Sequence, residues 1–164
     1  MNIEFREMTS LDWIFVSDIY SQGIKTGNAT FQTEVPSYED WDKAHLLSCR
    51  IVALIDEKPV GWCALTPVSG RCVYAGVAEV SVYVAEKYRG LQIGQKLLEL
   101  LIQQSETANI WTLQAGIFPE NIASLRIHEH LGFRVVGFRE KIGQMNGEWR
   151  DTILLERRSK LVGL

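Results

Sequence analysis

A glycine-containing loop in the middle of the chain has the spacing of a phosphate-binding turn. Gly90 and Gly94 follow Arg89, and residues 93–102 then repeat apolar side chains at helical intervals. The first N–H groups of a helix have no partner within the helix and carry the positive end of its dipole, so backbone alone can bind a pyrophosphate there. Glycines at such a turn also serve backbone geometry. The loop alone therefore leaves both roles open.

A predicted β-strand over residues 78–84 leads into this loop. Its side chains alternate in character: one face presents Val80, Val82 and Val84, and the opposite face presents Glu79, Ser81 and Tyr83. The polar face therefore carries a carboxylate, Glu79, ten residues before Arg89 of the candidate phosphate-binding loop.

Hydrophobic periodicity and turn signals predict the elements that hold this segment. The predicted strands cover residues 3–8, 50–55, 60–65, 78–84, 111–117, 133–142 and 148–157. The first predicted helix begins at Thr9 and ends before Gly27. The other three predicted helices cover residues 37–49, 94–107 and 121–131. The order β-α-α-β-β-β-α-β-α-β-β predicts an α/β sandwich with a mixed sheet. Asn146-Gly147 predicts a tight hairpin between the last two strands.

Length and composition favour one globular domain over residues 1–164. The net charge of −3 gives no electrostatic footprint for nucleic acid. No apolar run has the length of a membrane helix and the N-terminal residues lack a signal-peptide pattern, so we expect a cytoplasmic protein with no membrane partner. The three cysteines and three histidines lack metal-ligand spacing, so we expect no metal and reduced thiols.

Residues 88–94, YRGLQIG, resemble the acetyl-CoA pyrophosphate loop of the GNAT N-acetyltransferases, written Arg/Gln-x-x-Gly-x-Gly/Ala. Gln92 stands where that family normally has glycine, and a positive φ at this position would be strained. The element order also matches the GNAT order, which implies a mixed, mostly antiparallel sheet of about seven strands flanked by about four helices.

Other segments resemble the phosphinothricin and methionine sulfoximine acetyltransferase group within this family. They are residues 28–36, 70–74, 78–84, 121–124, 128–133 and 146–151. The resemblance implies an N-acetyltransferase that moves an acetyl group from acetyl-CoA to the primary amine of a small amino-acid-like acceptor, and a homodimer. The alternatives are a protein or peptide N-acetyltransferase and a non-catalytic acyl-CoA-binding regulatory module.

The resemblance assigns residues to both substrates. Cofactor-binding residues are Val82, Tyr83, Val84, Arg89, Gly90, Leu91, Gln92, Ile93, Gly94, Gln95, Asn121 and Ser124. Acceptor-binding residues are Phe31, Arg71, Cys72, Val73, Tyr74, Glu79, Val80 and Ser81. Backbone N–H groups of Val82 and Val84 are expected to meet the pantetheine and the thioester carbonyl.

The resemblance also implies two catalytic residues. Glu79 takes a proton from the acceptor amine, directly or through water, because an ammonium group cannot attack a thioester. His128 protonates the leaving thiolate. The alternatives are a solvated strand-edge glutamate and a histidine packed at the core edge by Leu125 and Leu131.

Three of the assigned residues have ordinary structural alternatives. Asn121 is also suited to cap the helix that follows it. Arg71 offers a fork-shaped guanidinium for an acceptor carboxylate, and it is equally suited to an exposed loop. Phe31 fits either a pocket wall or the core.

Overall fold

The computed structural model describes residues 1–164, and seven strands form one sheet. The strands are β1 (Glu4–Glu7), β2 (Ile51–Ile55), β3 (Lys58–Pro67), β4 (Val77–Val84), β5 (Thr112–Ile117), β6 (Arg134–Met145) and β7 (Glu148–Arg158). Their order across the sheet is β1-β2-β3-β4-β5-β7-β6. Neighbours β4 and β5 are parallel, and every other pair is antiparallel. The predicted mixed, mostly antiparallel α/β fold is therefore confirmed.

Four helices cover the two faces of the sheet. They are α1 (Trp13–Lys25), α2 (Tyr38–Ala44), α3 (Ile93–Thr107) and α4 (Ile122–His130). Apolar residues of α1 and α2 pack with Val52 and Trp62 in one buried cluster. The larger cluster lies on the opposite face, where the apolar stripe of α3 packs against the sheet and α4 contributes Leu125 and Ile127. Because each helix buries its apolar face in one of these two clusters, helices this short are stable here.

The helix α3 lies close to the sheet because β3 carries a glycine below it. A Cβ atom at Gly61 would lie 3.0 Å from Leu97 Cδ1 and 3.1 Å from the carbonyl oxygen of Tyr83. The β2–β3 register also shifts between Ala53 and Leu54, next to the Ala53–Gly61 pair. Gly61 therefore lets β3 lie close both to α3 and to the end of β4.

The sequence prediction for α2 was wrong at its C-terminal end. The helix stops at Ala44 instead of near Cys49, and His45 is already extended. The guanidinium of Arg50 binds the carbonyl oxygens of Asp42, His45 and Leu46 at 2.7 to 3.1 Å. These bonds satisfy carbonyl groups at the helix end that the next turn would have used. Leu47, which would lie on the helix if it continued to Cys49, is 79% exposed.

The predicted hairpin between β6 and β7 is confirmed. Asn146 and Gly147 have φ values of 51° and 81°, as a two-residue turn of the hairpin type requires.

The helices of the structure are too short or too polar to cross a membrane.

Candidate active site

The strands β4 and β5 separate soon after they pair. Their pairing ends at Glu79 and Gln114, although β4 continues to Val84 and β5 to Ile117. The remaining edge of β4 therefore faces a gap in the sheet.

Backbone donors of β4 point into this gap. On the β3 side, the N–H of Ala85 donates to Val60 at 2.8 Å and the carbonyl of Val77 accepts from Val68 at 3.3 Å. Successive residues of a strand direct their N–H groups to opposite sides. Ala85 directs its N–H group to β3, and Val82 and Val84 lie three residues and one residue before it. Their N–H groups therefore point away from β3 into the gap, where the family resemblance predicts hydrogen-bond donors for the pantetheine and the thioester.

A cavity of about 490 Å³ opens beside this edge. It is bounded by the end of β4, the start of α3, the α4 N-terminal half and the end of α1. The predicted cofactor residues that line it are Val82, Tyr83, Val84, Arg89, Gly94, Asn121 and Ser124. It reaches the α3 N-terminus at Gly94, where unpaired backbone N–H groups and Arg89 favour an anion.

The other predicted loop residues do not line this cavity. They are Gly90, Leu91, Gln92, Ile93 and Gln95. Ile93 is buried in the core with its side chain away from the loop. Gln92 is the N-cap of α3 with φ 63° and ψ 17°, a left-handed conformation. Gln92 therefore has the positive φ that is strained at a residue other than glycine.

A second cavity, of about 410 Å³, lies on the other side of the gap. Its walls come from the 28–32 loop, β4, the end of β5, and the β6–β7 hairpin. Of the predicted acceptor residues, Phe31, Glu79, Val80 and Ser81 line it. The two cavities share lining residues, namely Asn28, Ala29, Val82, Tyr83, Asn121, Ser124 and His128. They therefore meet at the gap, which suits two substrates that react with each other.

Glu79 lies at the point where β4 and β5 separate. Its Oε1 accepts a hydrogen bond from Gln114 Nε2 at 3.4 Å. A Cβ atom at the neighbouring Gly116 would lie 4.0 Å from the same oxygen. The carboxylate is thus half-buried in the cavity wall, with a glycine beside it that leaves room for an acceptor group.

His128 is buried between the two cavities. Its Nδ1 lies 2.7 Å from the carbonyl oxygen of Ser124, so Nδ1 carries the proton and donates it. Nε2 is buried and has no hydrogen-bond partner. Burial lowers the pKa of His128, so the ring is neutral at physiological pH and Nε2 is a proton acceptor. The aromatic ring of Phe133 packs against it edge-on at 5.0 Å.

The side chain of Asn121 makes two hydrogen bonds. Its Oδ1 accepts from the N–H of Ser124 at 3.3 Å, which caps α4 as the sequence suggested. Its Nδ2 donates to the carbonyl oxygen of Asn28 at 3.1 Å. Asn121 therefore ties the start of α4 to the 28–32 loop.

Arg150 holds the same loop from β7. Its guanidinium donates to the carbonyl oxygen of Gly27 at 2.8 Å and to Asn28 Oδ1 at 3.0 Å, and it lies 4.0 Å from the centre of the Phe118 ring. Glu120 lies 3.5 Å away. These contacts fix the loop whose residues Asn28 and Ala29 line both cavities.

Phe31 occupies a site that only a glycine opposite permits. Its ring meets Phe118 edge-on at 4.9 Å. A Cβ atom at Gly143 of β6 would lie 2.8 Å from Phe31 Cζ. Phe31 is thus a wall of the acceptor cavity, supported by residues more than 80 positions away in the sequence.

The structure does not bring residues 71–74 to this cavity. Cys72–Tyr74 forms a short 3₁₀ turn on the surface, and Arg71 lies over the Tyr74 ring at 5.8 Å. Val73 and Tyr74 instead line a separate surface cavity with Trp111, and Cys72 is exposed while Cys49 and Cys63 are buried. Within one chain, Arg71 therefore lies outside the two cavities that meet at the gap.

Sequence reasoning missed three residues that shape the acceptor cavity. Arg139 lines it from β6, Gly143 makes room for Phe31, and Arg150 holds the loop. Each lies in the C-terminal hairpin, whose alternation was too irregular to assign faces because the β6–β7 register shifts twice. Only strand pairing reveals which of these side chains face Glu79.

The family model of the acetyltransferase (GNAT) family matches residues 10–133 of the chain. This match covers the strand, the loop and the helix that surround the gap. The chain belongs to this family and is an acetyltransferase.

Curated relatives and solved structures agree with this assignment. Phosphinothricin N-acetyltransferase of Streptomyces viridochromogenes is 29% identical over 159 residues, which is 94% of this chain and 87% of that protein. Phosphinothricin N-acetyltransferase of Alcaligenes faecalis is 32% identical over 149 residues, 87% of this chain and 75% of that protein. The crystal structure of a phosphinothricin acetyltransferase from Sinorhizobium meliloti in complex with acetyl-CoA superposes with a TM-score of 0.87 at 23% identity, covering 99% of this chain and 91% of that one.

The acetyl-CoA that the family uses as acetyl donor fits the residues present here. The gap offers backbone N–H groups of Val82 and Val84 for a carbonyl oxygen, and the start of α3 with Arg89 offers donors for phosphates. The cavity of about 490 Å³ joins these two places.

Proposed function

We propose that the protein acetylates the primary amine of a small amino-acid-like acceptor, of the phosphinothricin or methionine sulfoximine type. The observation that carries this proposal is the meeting of two cavities at the gap, with Glu79 in the wall of one and backbone donors of β4 between them. The acceptor cavity, at about 410 Å³, has the volume of a small-molecule site. The names of the curated relatives support the same acceptor class.

Glu79 acts first in the proposed mechanism. Its carboxylate takes a proton from the acceptor ammonium, directly or through one water, and releases a neutral amine. Gln114 holds the carboxylate by its 3.4 Å hydrogen bond. The N–H groups of Val82 and Val84 then bind the thioester carbonyl oxygen and stabilise the negative charge that develops on it during attack.

His128 completes the proton transfer. The resting ring is neutral with its proton on Nδ1, so Nε2 must receive a proton before it can donate one. That proton comes from the reacting nitrogen as the C–N bond forms, and it passes to the sulfur as the C–S bond breaks. The products are then an N-acetylated acceptor and free CoA, the imidazole returns to its starting state, and Glu79 releases to solvent the proton that it took from the ammonium group.

The test is CoA release from acetyl-CoA by purified protein with a panel of amines. The panel contains phosphinothricin, methionine sulfoximine, common amino acids, polyamines and a peptide with a free N-terminus. We expect release only with amino-acid-like acceptors. Release with the peptide alone would replace the proposal by protein acetylation, and binding of acetyl-CoA without release on any acceptor would contradict it.

We further propose a cytoplasmic homodimer. Exposed apolar side chains on β6 and β7 support the dimer: Val135, Val136, Phe138, Ile142 and Trp149. The outer edge of β6 also lacks a neighbouring strand. Size-exclusion chromatography with light scattering measures the mass of the particle in solution. A monomer mass at all concentrations would contradict the proposed dimer.

A further inference from the structure

Strand register places the side chains of Glu79 and Arg139 on the same face of the sheet. Glu79 lies opposite Gln114, and Gln114 lies opposite Glu156. Residues directly opposite in neighbouring strands share a face, and so do residues two apart in one strand. Along β7 this face runs from Glu156 to Thr152, and Thr152 lies opposite Arg139 of β6.

The same register places the two charges at opposite walls of the acceptor cavity. Three strand intervals separate β4 from β6, roughly 14 Å across the strands at about 4.8 Å per interval, and the four-residue step from Glu156 to Thr152 adds roughly 13 Å along the strands at about 3.3 Å per residue. Both side chains line the cavity, and they are the only acidic residue and the only arginine or lysine in its lining. A small acceptor thus meets a carboxylate at one wall and a guanidinium at the other.

The guanidinium of Arg139 has no partner within the chain. Arg6, Arg50, Arg134, Arg150 and Arg157 form ion pairs, and Arg158 binds backbone carbonyls. Arg71, Arg89, Arg126 and Arg139 have neither an ion pair nor a side-chain hydrogen bond, and of these four only the exposed Arg139 lines the acceptor cavity. A fork of N–H donors beside a cavity matches the two oxygens of a carboxylate or phosphinate.

We propose that Arg139 is a specificity-determining residue that binds an oxyanion of the acceptor, while Glu79 takes the proton from its amine. This inference rests on the proposed function, because it assigns a chemical group to the same acceptor. It selects acceptors that carry an amine and an anionic oxyacid group, and it places this role on β6 instead of on Arg71. The oxyanion is either the α-carboxylate of an amino acid or an acidic group at the end of its side chain.

Three acceptors distinguish these two sources. Phosphinothricin carries an α-carboxylate and a methylphosphinate, L-methionine sulfone carries the same carboxylate with a neutral side chain of similar shape, and L-methionine sulfone amide carries neither anion. Steady-state kinetics are measured for the wild type, Arg139→Gln and Arg139→Lys. We expect Arg139→Gln to lower kcat/KM roughly tenfold through KM for anionic acceptors, because it removes a charge-assisted pair. Arg139→Lys restores part of the loss.

The pattern across the acceptors identifies the anion. A loss for phosphinothricin and for the sulfone assigns Arg139 to the α-carboxylate, and a loss for phosphinothricin alone assigns it to the phosphinate. The amide should change less than about twofold, since it offers Arg139 no charge to bind. An equal loss for the amide, or no loss for either anionic acceptor, would overturn the proposal.

A matched control and a binding measurement separate this inference from the proposed function. Arg126→Gln removes the same charge from an exposed, unpaired position on α4 outside both cavities, so it should leave all three acceptors unchanged. Calorimetric titration of CoA-saturated protein with N-acetylphosphinothricin requires no turnover. If wild-type protein acetylates none of the acceptors, the proposed function fails, whereas Arg139-dependent binding in this titration still supports the anion site and its absence overturns it.

Discussion

The two cavities that meet at the gap are built in different ways. The donor side uses backbone from one stretch of chain, the end of β4 and the start of α3, completed by the first turns of α4. The acceptor side uses side chains from the 28–32 loop, β4, β5 and the β6–β7 hairpin. Backbone donors are present whatever the side chains are, whereas the acceptor wall changes with each substitution. The fold therefore fixes the donor and leaves the acceptor adjustable.

The largest effect should come from the residue at the junction of the two sides. Glu79→Gln keeps the shape and the bond to Gln114 but removes the proton acceptor. We expect kcat to fall by about 10²-fold to 10⁴-fold, as for the loss of a general base, with the Kd for acetyl-CoA nearly unchanged. Rate measurements from pH 6 to 9 and calorimetric titration check the two quantities. Glu148→Gln, an exposed residue of β7 outside both cavities, is the control; unchanged turnover in Glu79→Gln would exclude the base role.

The second effect concerns the residue that lies between both cavities. His128→Gln removes the Nε2 proton carrier, and we expect kcat to fall by roughly 10-fold to 100-fold, at the lower end of general acid–base effects. Single-turnover measurement of CoA release separates this loss from slow product release. A variant with wild-type kcat would reduce His128 to a packing residue beside Phe133.

The pH dependence of stability tests the neutral state of this ring. Burial lowers the pKa of His128, so its contribution to the free energy of unfolding is complete above the ordinary histidine pKa of about 6.5 and declines as the pH falls toward the lowered value. We expect the melting temperature to fall between pH 7 and 5, and less steeply in His128→Gln. Burial also lowers the pKa of His45, so the melting temperature of His128→Gln should still fall in part over the same pH range. An equal decline in both proteins would show that folding does not lower the pKa of His128.

The sequence predicted the donor side far better than the acceptor side, for a physical reason. Alternation along residues 78–84 and the glycine spacing after Arg89 are local signals, and they located β4, the loop and α3 to within a residue or so. The face of Arg139 depends on three successive strand pairings, one of them in a hairpin with register shifts. No local pattern contains that information. The predicted end of α2 was wrong for the same reason. The carbonyl groups at the end of this helix are bound by the side chain of Arg50, six residues beyond the helix.

A change of about tenfold in the acceptor KM should show the contribution of the 28–32 loop to the acceptor cavity. Arg150→Gln removes the bonds to Gly27 and Asn28 and the contact with Phe118. Because the loop residues 30–32 line only the acceptor cavity, we expect the acceptor KM to rise about tenfold and the acetyl-CoA KM to rise less, in line with the loss of charge-assisted bonds. Arg134→Gln removes a guanidinium paired with Glu156 at the surface and should change neither. Equal increases in both KM values would mean that Arg150 supports the whole site.

The smallest effect lies on the donor side, at the one residue that departs from the family loop. Gln92 adopts φ 63° without being glycine, which strains the backbone at the start of α3. Gln92→Gly relieves that strain but increases the freedom of the unfolded chain, so we expect a gain in stability of at most about 1 kcal/mol and an acetyl-CoA Kd that is unchanged or lower. Gln103→Gly, at an exposed helical position of α3, should instead destabilise the protein by about 1 kcal/mol. Denaturant unfolding and calorimetry measure both quantities. Weaker acetyl-CoA binding in Gln92→Gly would mean that the glutamine side chain binds the cofactor itself, and the donor side would then depend on side-chain identity as the acceptor side does.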